Sequence, residues 1–297
     1  MILITEFMDE SAVEMLRAAH NVHFDPGLAD RQDAIPKLMT KARAIIVRNR
    51  TLVTDALLAA APDLSCVGRL GVGLDNIDTA ACERRGVAVY PATGANNLSV
   101  AEYVVTAALV LVRGAWFASP QVASGAWPRA SAGAGREIAG KNLGLIGYGR
   151  IARDTATIAR CLGMKIFAYD PWISAEDPVW RDVERCDLPA LLSKSDVISL
   201  HVPLTADTRR MIDAEALALM KPGAVLINAA RGGVIDEAAV VDSLRSGHLA
   251  GAALDTFEIE PVTAASAQAF ADTPNLVLTP HIAGVTTESN ERVSALT

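Results

Sequence analysis

The stretch Leu143-Gly-Leu-Ile-Gly-Tyr-Gly-Arg-Ile-Ala152 decides the fold of this 297-residue chain. An apolar run enters a glycine turn, and a helical pattern follows it. Asp170 ends the next apolar run, 21 residues beyond Gly149. In the first turn of a βαβ unit, such glycines let the backbone approach a pyrophosphate. The helix N-terminus then binds the phosphate charge, and the acid binds the ribose hydroxyls. The stretch therefore predicts a dinucleotide site.

Strand-like and helical patterns alternate on both sides of this loop. Strand candidates precede it at 2–4, 44–47, 64–68 and 87–90, and six follow at 143–147, 165–169, 196–200, 224–228, 250–254 and 276–279. Such alternation predicts parallel sheets with crossover helices, here in two domains separated near the turn formers at 91–97. Ser99 and Glu102 have the spacing of a capping box that opens an apolar helix. Residues 113–140 lack a regular pattern and predict an extended arm.

Composition excludes several classes of partner. Hydrophobic residues make up 51% and charged residues 21%, and the formal net charge is −7. Without a basic field, we expect neither nucleic acid nor a membrane as partner. The apolar run at 103–112 is too short to cross a bilayer of about 30 Å. Four cysteines without a C-x-x-C spacing predict reduced thiols in a cytoplasmic protein and no metal site.

Side chains with complementary chemistry follow three of the later strands. Arg231 follows strand 224–228, Glu260 follows 250–254, and His281 follows 276–279. Ligands of open α/β sheets bind beyond the carboxyl ends of the strands. A hydride that reaches the carbonyl carbon of a 2-oxo acid leaves an alkoxide, and an imidazole can supply the proton that it needs. The three strand ends therefore favour hydride transfer.

Each side chain has a distinct role in that chemistry. His281 is the candidate acid and base, and Glu260 is the carboxylate that favours its protonated ring. Arg231 would bind the substrate carboxylate in a bidentate fork and polarise the carbonyl oxygen. Asp255 is a candidate to hold the nicotinamide carboxamide. Any one of these residues alone would be an ordinary loop residue, and the prediction depends on their joint occurrence.

The chain resembles the D-isomer-specific 2-hydroxyacid dehydrogenases, in the branch typified by 3-phosphoglycerate dehydrogenase. The motifs that carry the resemblance are the glycine loop, Arg69-Leu-Gly-Val-Gly-Leu-Asp-Asn-Ile-Asp78, Leu200-His-Val-Pro-Leu-Thr205, Asn228-Ala-Ala-Arg-Gly232 and Thr279-Pro-His281. Ala152 stands where the glycine fingerprint has its third glycine, a replacement that the fingerprint tolerates. We expect no regulatory domain like that of the long phosphoglycerate dehydrogenases, and so no serine feedback.

The resemblance implies two doubly wound parallel-sheet domains with a hinged cleft. A flavodoxin-like substrate domain would hold residues 1–95 and 286–297, and a Rossmann NAD domain would hold 96–285 and form a homodimer. It implies the same roles for Arg231, Glu260 and His281. The NAD contacts expected from these motifs are Val72, Gly147, Gly149, Arg150, Ile151, Asp170, His201, Val202, Pro203, Ala229, Ala230, Asp255, His281 and Gly284. The backbone of Leu70, Gly71, Val72 and Gly73 would surround the substrate carboxylate.

Two features of the sequence indicate which cofactor and which class of substrate the protein uses. No basic residue adjoins Asp170, so its carboxylate favours NAD over NADP. Arg48, Asn49 and Arg50 follow strand 44–47, and we predict that they bind a second anionic group of the substrate, with Arg50 as the extra charge. Ordinary surface charge explains these arginines equally well. Candidate substrates are 3-phosphoglycerate and 3-sulfolactate, with glyoxylate or hydroxypyruvate as smaller alternatives.

Other functions are possible on the same scaffold. A non-catalytic NAD-sensing protein of the corepressor type would need only the nucleotide loop. Retention of Arg231, Glu260 and His281 together argues against it. A third possibility is the oxidation of phosphite or formate on the same scaffold. Formate oxidation would need a different substrate pocket, and no residue of the sequence requires either reaction.

Overall fold

The computed structural model describes all residues, Met1–Thr297, and the chain divides into two compact units. The first unit comprises Met1–Asn96 and Val285–Thr297, and the second comprises Asn97–Gly284. Each unit contains one sheet and its own hydrophobic core.

Strands and helices alternate along the chain. Up to Asn96 they are β1 (Ile2–Ile4), α1 (Glu10–Ala19), β2 (Val22–Phe24), α2 (Ile35–Met39), β3 (Ala44–Val47), α3 (Asp55–Ala59), β4 (Cys66–Arg69), α4 (Thr79–Arg84) and β5 (Ala88–Pro91). From Asn97 they are α5 (Asn97–Arg113), α6 (Ser119–Ala123), α7 (Arg129–Ala132), β6 (Asn142–Ile146), α8 (Arg150–Cys161), β7 (Lys165–Tyr169), β8 (Glu184–Arg185), α9 (Leu188–Lys194), β9 (Val197–Leu200), α10 (Ala214–Leu219), β10 (Ala224–Asn228), α11 (Glu237–Arg245), β11 (Leu249–Leu254), α12 (Ala264–Ala267), β12 (Leu276–Leu278) and α13 (Thr287–Leu296).

The first unit is built on a five-stranded parallel sheet. Its strand order, β2-β1-β3-β4-β5, is that of the flavodoxin-like doubly wound fold. Strand β2 was not among the sequence candidates, because three residues are too few to establish a strand period. Helix α13, from the end of the chain, contacts α1.

The second unit is built on a seven-stranded parallel sheet with the order β12-β11-β10-β9-β6-β7-β8. The direction of winding reverses between β6 and β9, which is the arrangement of a Rossmann domain. The six predicted strands are all present, and the short edge strand β8 was missed because it has only two residues. The prediction of two doubly wound α/β sheets is confirmed.

Helix α5 is the central helix of the second unit and packs against β10, β11 and α8. Val104, Ala108 and Leu111, spaced by four and three residues, lie buried on one face. The capping box predicted at Ser99 and Glu102 is wrong, because the helix already begins at Asn97. Ser99 lies inside the first turn and is buried, so the packing of that turn sets its position.

Residues 113–140 differ from the extended arm that the sequence predicted. They form a 3-10 turn (Ala115–Ala118) and the short helices α6 and α7. No single helix has the length and apolar character to span a bilayer; α5 taken together with Ala115–Ala123 meets that test only as a pair bent by 63°.

Candidate active site

The glycine loop connects β6 to α8 and has the conformation that a pyrophosphate site needs. Gly147 has φ +83°, and a Cβ there would lie 2.6 Å from the carbonyl oxygen of His201. Gly149 is the N-cap of α8, no side chain caps that helix, and a Cβ at Gly149 would meet nothing within 4 Å. The amides of the first helical turn have no side-chain cap, and uncapped N–H groups at a helix N-terminus bind anions.

Asp170, at the end of β7, is bonded to this loop. Its Oδ2 accepts a hydrogen bond from the N–H of Tyr148 at 2.9 Å, and its Oδ1 accepts one from the N–H of Trp172 at 3.0 Å. Tyr148 is buried, and its ring stacks on Trp180 with centroids 5.3 Å apart. The acid predicted to bind ribose thus also fixes the glycine loop, a role that the sequence did not indicate.

The segment that follows strand β9 packs against the glycine loop. The N–H of His201 donates to the carbonyl oxygen of Ile146 at 2.7 Å. The His201 ring lies with Nε2 3.0 Å from Oγ of Ser199. Burial lowers the pKa of His201 to about 4, so the ring is neutral at neutral pH. His201, with Val202 and Pro203 beyond it, therefore presents an uncharged segment beside the nucleotide loop.

Three neighbouring strands place the predicted catalytic residues at one edge of the sheet. In β10, β11 and β12 the last paired residues are Asn228, Leu254 and Leu278, which lie opposite one another in register. The loops that follow these strands carry Arg231, Asp255 with Glu260, and His281.

His281 and Glu260 form a hydrogen-bonded pair. Nδ1 of His281 lies 2.8 Å from Oε2 of Glu260, and Oε1 of Glu260 accepts from the N–H of Phe257 at 2.9 Å. Burial alone would raise the pKa of Glu260. The hydrogen bonds from His281 and Phe257, and the charges of His281 and Arg231, outweigh it and hold the pKa below its ordinary value. Glu260 is thus an ionised partner that orients the imidazole and leaves Nε2 for proton transfer.

Asp255 holds the loop that carries His281. It is buried, and its carboxylate accepts hydrogen bonds from Oγ1 of Thr279 at 2.7 Å and from the N–H groups of Ile282 and Ala283 at 2.8 Å each. His281 itself has φ +57°, a left-handed conformation that costs a non-glycine residue about 1–3 kcal/mol. These bonds offset that cost and keep the imidazole facing Glu260.

Hydrogen bonds within the loop fix the segment that carries Arg231. Asn228 donates through Nδ2 to the carbonyl oxygen of Arg231 at 2.9 Å and accepts from the N–H of Ala230 at 3.1 Å. A Cβ at Gly232 would overlap the carbonyl oxygen of Phe257, so only glycine lets the Glu260 loop approach so closely. The glycine after Arg231 thereby brings guanidinium and carboxylate near each other.

In the first unit, the predicted substrate loop wraps around a carboxylate that the sequence reasoning missed. Glu6 is buried, and its oxygens accept hydrogen bonds from the N–H groups of Arg48 (2.8 Å), Asn49 (3.3 Å), Arg50 (3.1 Å) and Thr51 (2.9 Å). The only sequence signal for Glu6 was its position two residues after the end of β1. The geometry of residues 48–51 therefore depends on Glu6.

The two arginines of that loop have different surroundings. Arg50 is exposed and forms an ion pair with Asp30, whose pKa its guanidinium holds below the ordinary value. Nη2 of Arg48 donates to Oδ1 of Asn290 at 2.9 Å, and burial lowers the pKa of Arg48 although the charge of Glu6 opposes this. Arg50 thus has a charged partner, whereas Arg48 is bonded to a neutral amide.

The segment after β4 turns sharply in the first unit. Gly71 has φ +144°, Leu70 is buried, and Val72 is exposed. The carbonyl oxygen of Gly71 accepts from the N–H of Ala92 at 2.9 Å. The turn therefore has a defined backbone, as a carboxylate-binding segment requires.

The second unit has the features of a nicotinamide-dependent dehydrogenase domain: a doubly wound sheet, a glycine loop with its acid, and a histidine–carboxylate pair. The family profile "D-isomer specific 2-hydroxyacid dehydrogenase, NAD binding domain" matches residues 105–283, more than half of the chain. The chain belongs to that family, its cofactor is NAD, and it catalyses NAD-dependent 2-hydroxyacid oxidoreduction, as predicted.

Individual relatives agree with this assignment. An (S)-sulfolactate dehydrogenase from Chromohalobacter salexigens is 54% identical over 297 residues, which is 100% of this chain and 95% of the relative. A D-3-phosphoglycerate dehydrogenase from Escherichia coli is 39% identical over 295 residues, 98% of this chain and 71% of the relative. The crystal structure of D-lactate dehydrogenase from Aquifex aeolicus with NAD and lactic acid has a TM-score of 0.85 at 30% identity, over 99% of this chain and 92% of that one.

Proposed function

We propose that this chain interconverts 3-sulfolactate and 3-sulfopyruvate with NAD. The observation that carries the reaction is the pair of His281 and Glu260, 2.8 Å apart, on loops beside that of Arg231. The 54% identity to a relative named (S)-sulfolactate dehydrogenase supports the choice of substrate.

Each residue of the site has a defined part in the chemistry. When bound, NAD accepts or supplies the hydride. In the direction of oxidation, Nε2 of His281 takes the hydroxyl proton, because Nδ1 is already bonded to Glu260. The carboxylate of Glu260 stabilises the positive ring that results. In the direction of reduction, Nε2 returns the proton to the alkoxide, and Arg231 binds the carboxylate and polarises the carbonyl oxygen.

Arg48 is the residue that we propose for the sulfonate. Its guanidinium is desolvated and donates to the neutral amide of Asn290, so an anion can still neutralise its charge. Arg50 already forms its ion pair with Asp30. The surroundings therefore favour Arg48 over Arg50 as the extra charge, in contrast to the expectation from the sequence.

The stereochemistry is consistent with the family. A carbon that bears a sulfonate outranks a carboxylate in naming, whereas the methyl group of lactate does not. The descriptor therefore reverses without any change in spatial arrangement. An (S)-sulfolactate has the arrangement of a D-2-hydroxy acid, and the D-isomer specificity of the family fits this substrate.

The test is a substrate panel with matched arginine variants. We expect wild-type kcat/KM to be higher for (S)-3-sulfolactate than for D-lactate, D-glycerate and 3-phosphoglycerate. Arg48→Gln should lower the value for sulfolactate about 10- to 150-fold, because a charge-assisted hydrogen bond contributes about 1.5–3 kcal/mol. Arg50→Gln, which removes the same charge from an exposed pair, should change it less than about threefold. A higher wild-type kcat/KM for lactate, or equal losses in the two variants, would show the substrate proposal to be wrong.

We also propose a cytoplasmic homodimer that forms through the second unit. Trp116, Val122 and Trp127 lie exposed in residues 113–140, and exposed large apolar side chains are common at interfaces. The four cysteines are free thiols. Sedimentation velocity should give about twice the chain mass of 31.3 kDa, and Trp127→Ser should shift the protein toward a single chain.

A further inference from the structure

A chain of side-chain hydrogen bonds runs from helix α5 to the loop of His281. The hydroxyl of Tyr103 lies 2.6 Å from Oγ1 of Thr279. Oγ1 of Thr279 in turn donates to Oδ1 of Asp255 at 2.7 Å. All three residues belong to the second unit, and none of the family motifs contains Tyr103.

The direction of the hydrogen bonds in this chain is determined. A threonine hydroxyl has one proton, and Thr279 gives it to the carboxylate of Asp255. Tyr103 must therefore donate to Thr279. Burial raises the pKa of Tyr103, against the opposing effect of its bond to Thr279, so the phenol keeps its proton over the working pH range. Successive donors polarise one another, and the bond from Thr279 to Asp255 is strengthened by Tyr103.

The loop that carries His281, which these hydrogen bonds reach, depends on bonds of this kind for its conformation. His281 lies between Thr279, which contributes one donor to Asp255, and Ile282 and Ala283, which contribute two more. Its left-handed backbone is held by its N–H, which donates to the carbonyl oxygen of Asp255 at 2.8 Å. If the bond from Thr279 to Asp255 is weakened, the loop is therefore held less firmly on the N-terminal side of His281.

We propose that Tyr103 is a positioning residue for His281, acting through Thr279 and Asp255. The inference rests on the role of His281 proposed above. Tyr103 touches neither substrate nor cofactor in this proposal; it keeps Nε2 of His281 where the proton is transferred. Its loss should lower kcat much more than it weakens NADH binding: Asp255 and His281 are expected contacts of the nicotinamide end, but the glycine loop and Asp170, which bind the rest of the nucleotide, lie outside these hydrogen bonds.

The experiment is a double-mutant cycle with rescue, measured as kcat for reduction of 3-sulfopyruvate and as the Kd of NADH by fluorescence. Tyr103→Phe should lower kcat about 2- to 10-fold, the value of one neutral hydrogen bond, with the NADH Kd within twofold. Thr279→Ser keeps the relay and should retain kcat within about threefold, whereas Thr279→Val breaks it. In the Thr279→Val background, Tyr103→Phe should have no further effect. Tyr90→Phe removes an exposed hydroxyl of the first unit and is the matched control.

The outcomes separate this inference from the proposed function. If Tyr103→Phe has wild-type kcat, or costs the same factor with and without Thr279, the positioning role is wrong. A parallel loss of NADH affinity would point to a general structural role and would also overturn it. If wild type does not reduce 3-sulfopyruvate, or if His281→Asn is fully active, it is the proposed function that fails.

Discussion

Glu260→Gln removes one charge at the centre of the site and keeps the shape of the side chain. The amide oxygen of glutamine can still accept from the N–H of Phe257, as Oε1 does at 2.9 Å. The amide NH2 then faces Nδ1 of His281 and, because an NH2 group only donates, it cannot accept the proton of the charged ring. The variant therefore removes the charge-assisted bond to His281 and keeps the volume of the side chain and its bond to the backbone.

The size of the effect follows from the surroundings of the pair. A charge-assisted hydrogen bond contributes about 1.5–3 kcal/mol, and the change removes one such bond. The side chains of His281 and Glu260 are 39% and 33% exposed, and solvent screening places the value toward the lower end. We expect kcat/KM to fall about 10- to 30-fold, with the Kd of NADH unchanged.

The assay is kcat/KM against pH for reduction of a 2-oxo acid, with Glu258→Gln as the control. Glu258 lies on the same loop and pairs with Arg210 at 3.4 Å, away from His281. Glu260→Gln should lower kcat/KM at every pH at which Glu260 is ionised, whereas Glu258→Gln should leave it near the wild-type value. Equal effects of the two variants would refute the role of the pair.

The same pair contributes to stability with a defined sign. The pKa of Glu260 is lower in the folded protein than its ordinary value. Its contribution is therefore fully present above that ordinary value and disappears as the pH falls through the lowered one. Urea unfolding should show wild type more stable than Glu260→Gln at pH 7 and equally stable in acid.

Three further predictions concern the cofactor half of the second unit. Gly147→Ala should abolish NAD binding measured by calorimetry, because the Cβ would lie 2.6 Å from the carbonyl oxygen of His201; retained binding would contradict the geometry. Asp170→Asn should raise the ratio of kcat/KM for NADP to that for NAD at least tenfold, since the carboxylate that repels a 2′-phosphate is gone, and an unchanged ratio would contradict its assignment. In wild type, the free energy of unfolding should fall by about 3 kcal/mol between about pH 6.5 and 4, because the folded pKa of His201 is about 4 and the unfolded ring binds its proton first. His201→Gln should remove this loss, and an unchanged pH dependence in urea unfolding would show that His201 does not cause it.

Several features were predictable because they depend on short segments of sequence. The glycine loop needs a positive φ at Gly147, and this requirement is visible in the residue type itself. The six longer strands of the second sheet were found because buried parallel strands are continuous apolar runs. Arg231, Glu260 and His281 could be proposed together because parallel strands end at a common edge, and the structure places them on neighbouring loops.

Other features could not be predicted, because they depend on contacts between distant segments. The bond between Glu6 and residues 48–51 joins positions more than 40 residues apart. The bond between Tyr103 and Thr279 joins positions 176 residues apart, and nothing near Tyr103 distinguishes it from any other half-buried tyrosine. Strands as short as β2 and β8 carry too few residues to show a period, so their neighbours in the sheet decide that they form.

The glycine loop, the apolar strands and the residues that follow them thus determined by themselves the fold class, the cofactor and the type of reaction. Only the tertiary structure decided which arginine of the 48–50 segment can use its charge to bind a substrate anion. Arg48 and Arg50 are two residues apart and look alike in sequence, yet packing gives one a neutral amide and the other a carboxylate. The physical reason is that the effective charge of a side chain depends on its desolvation and its partners, which a chain acquires only when it folds.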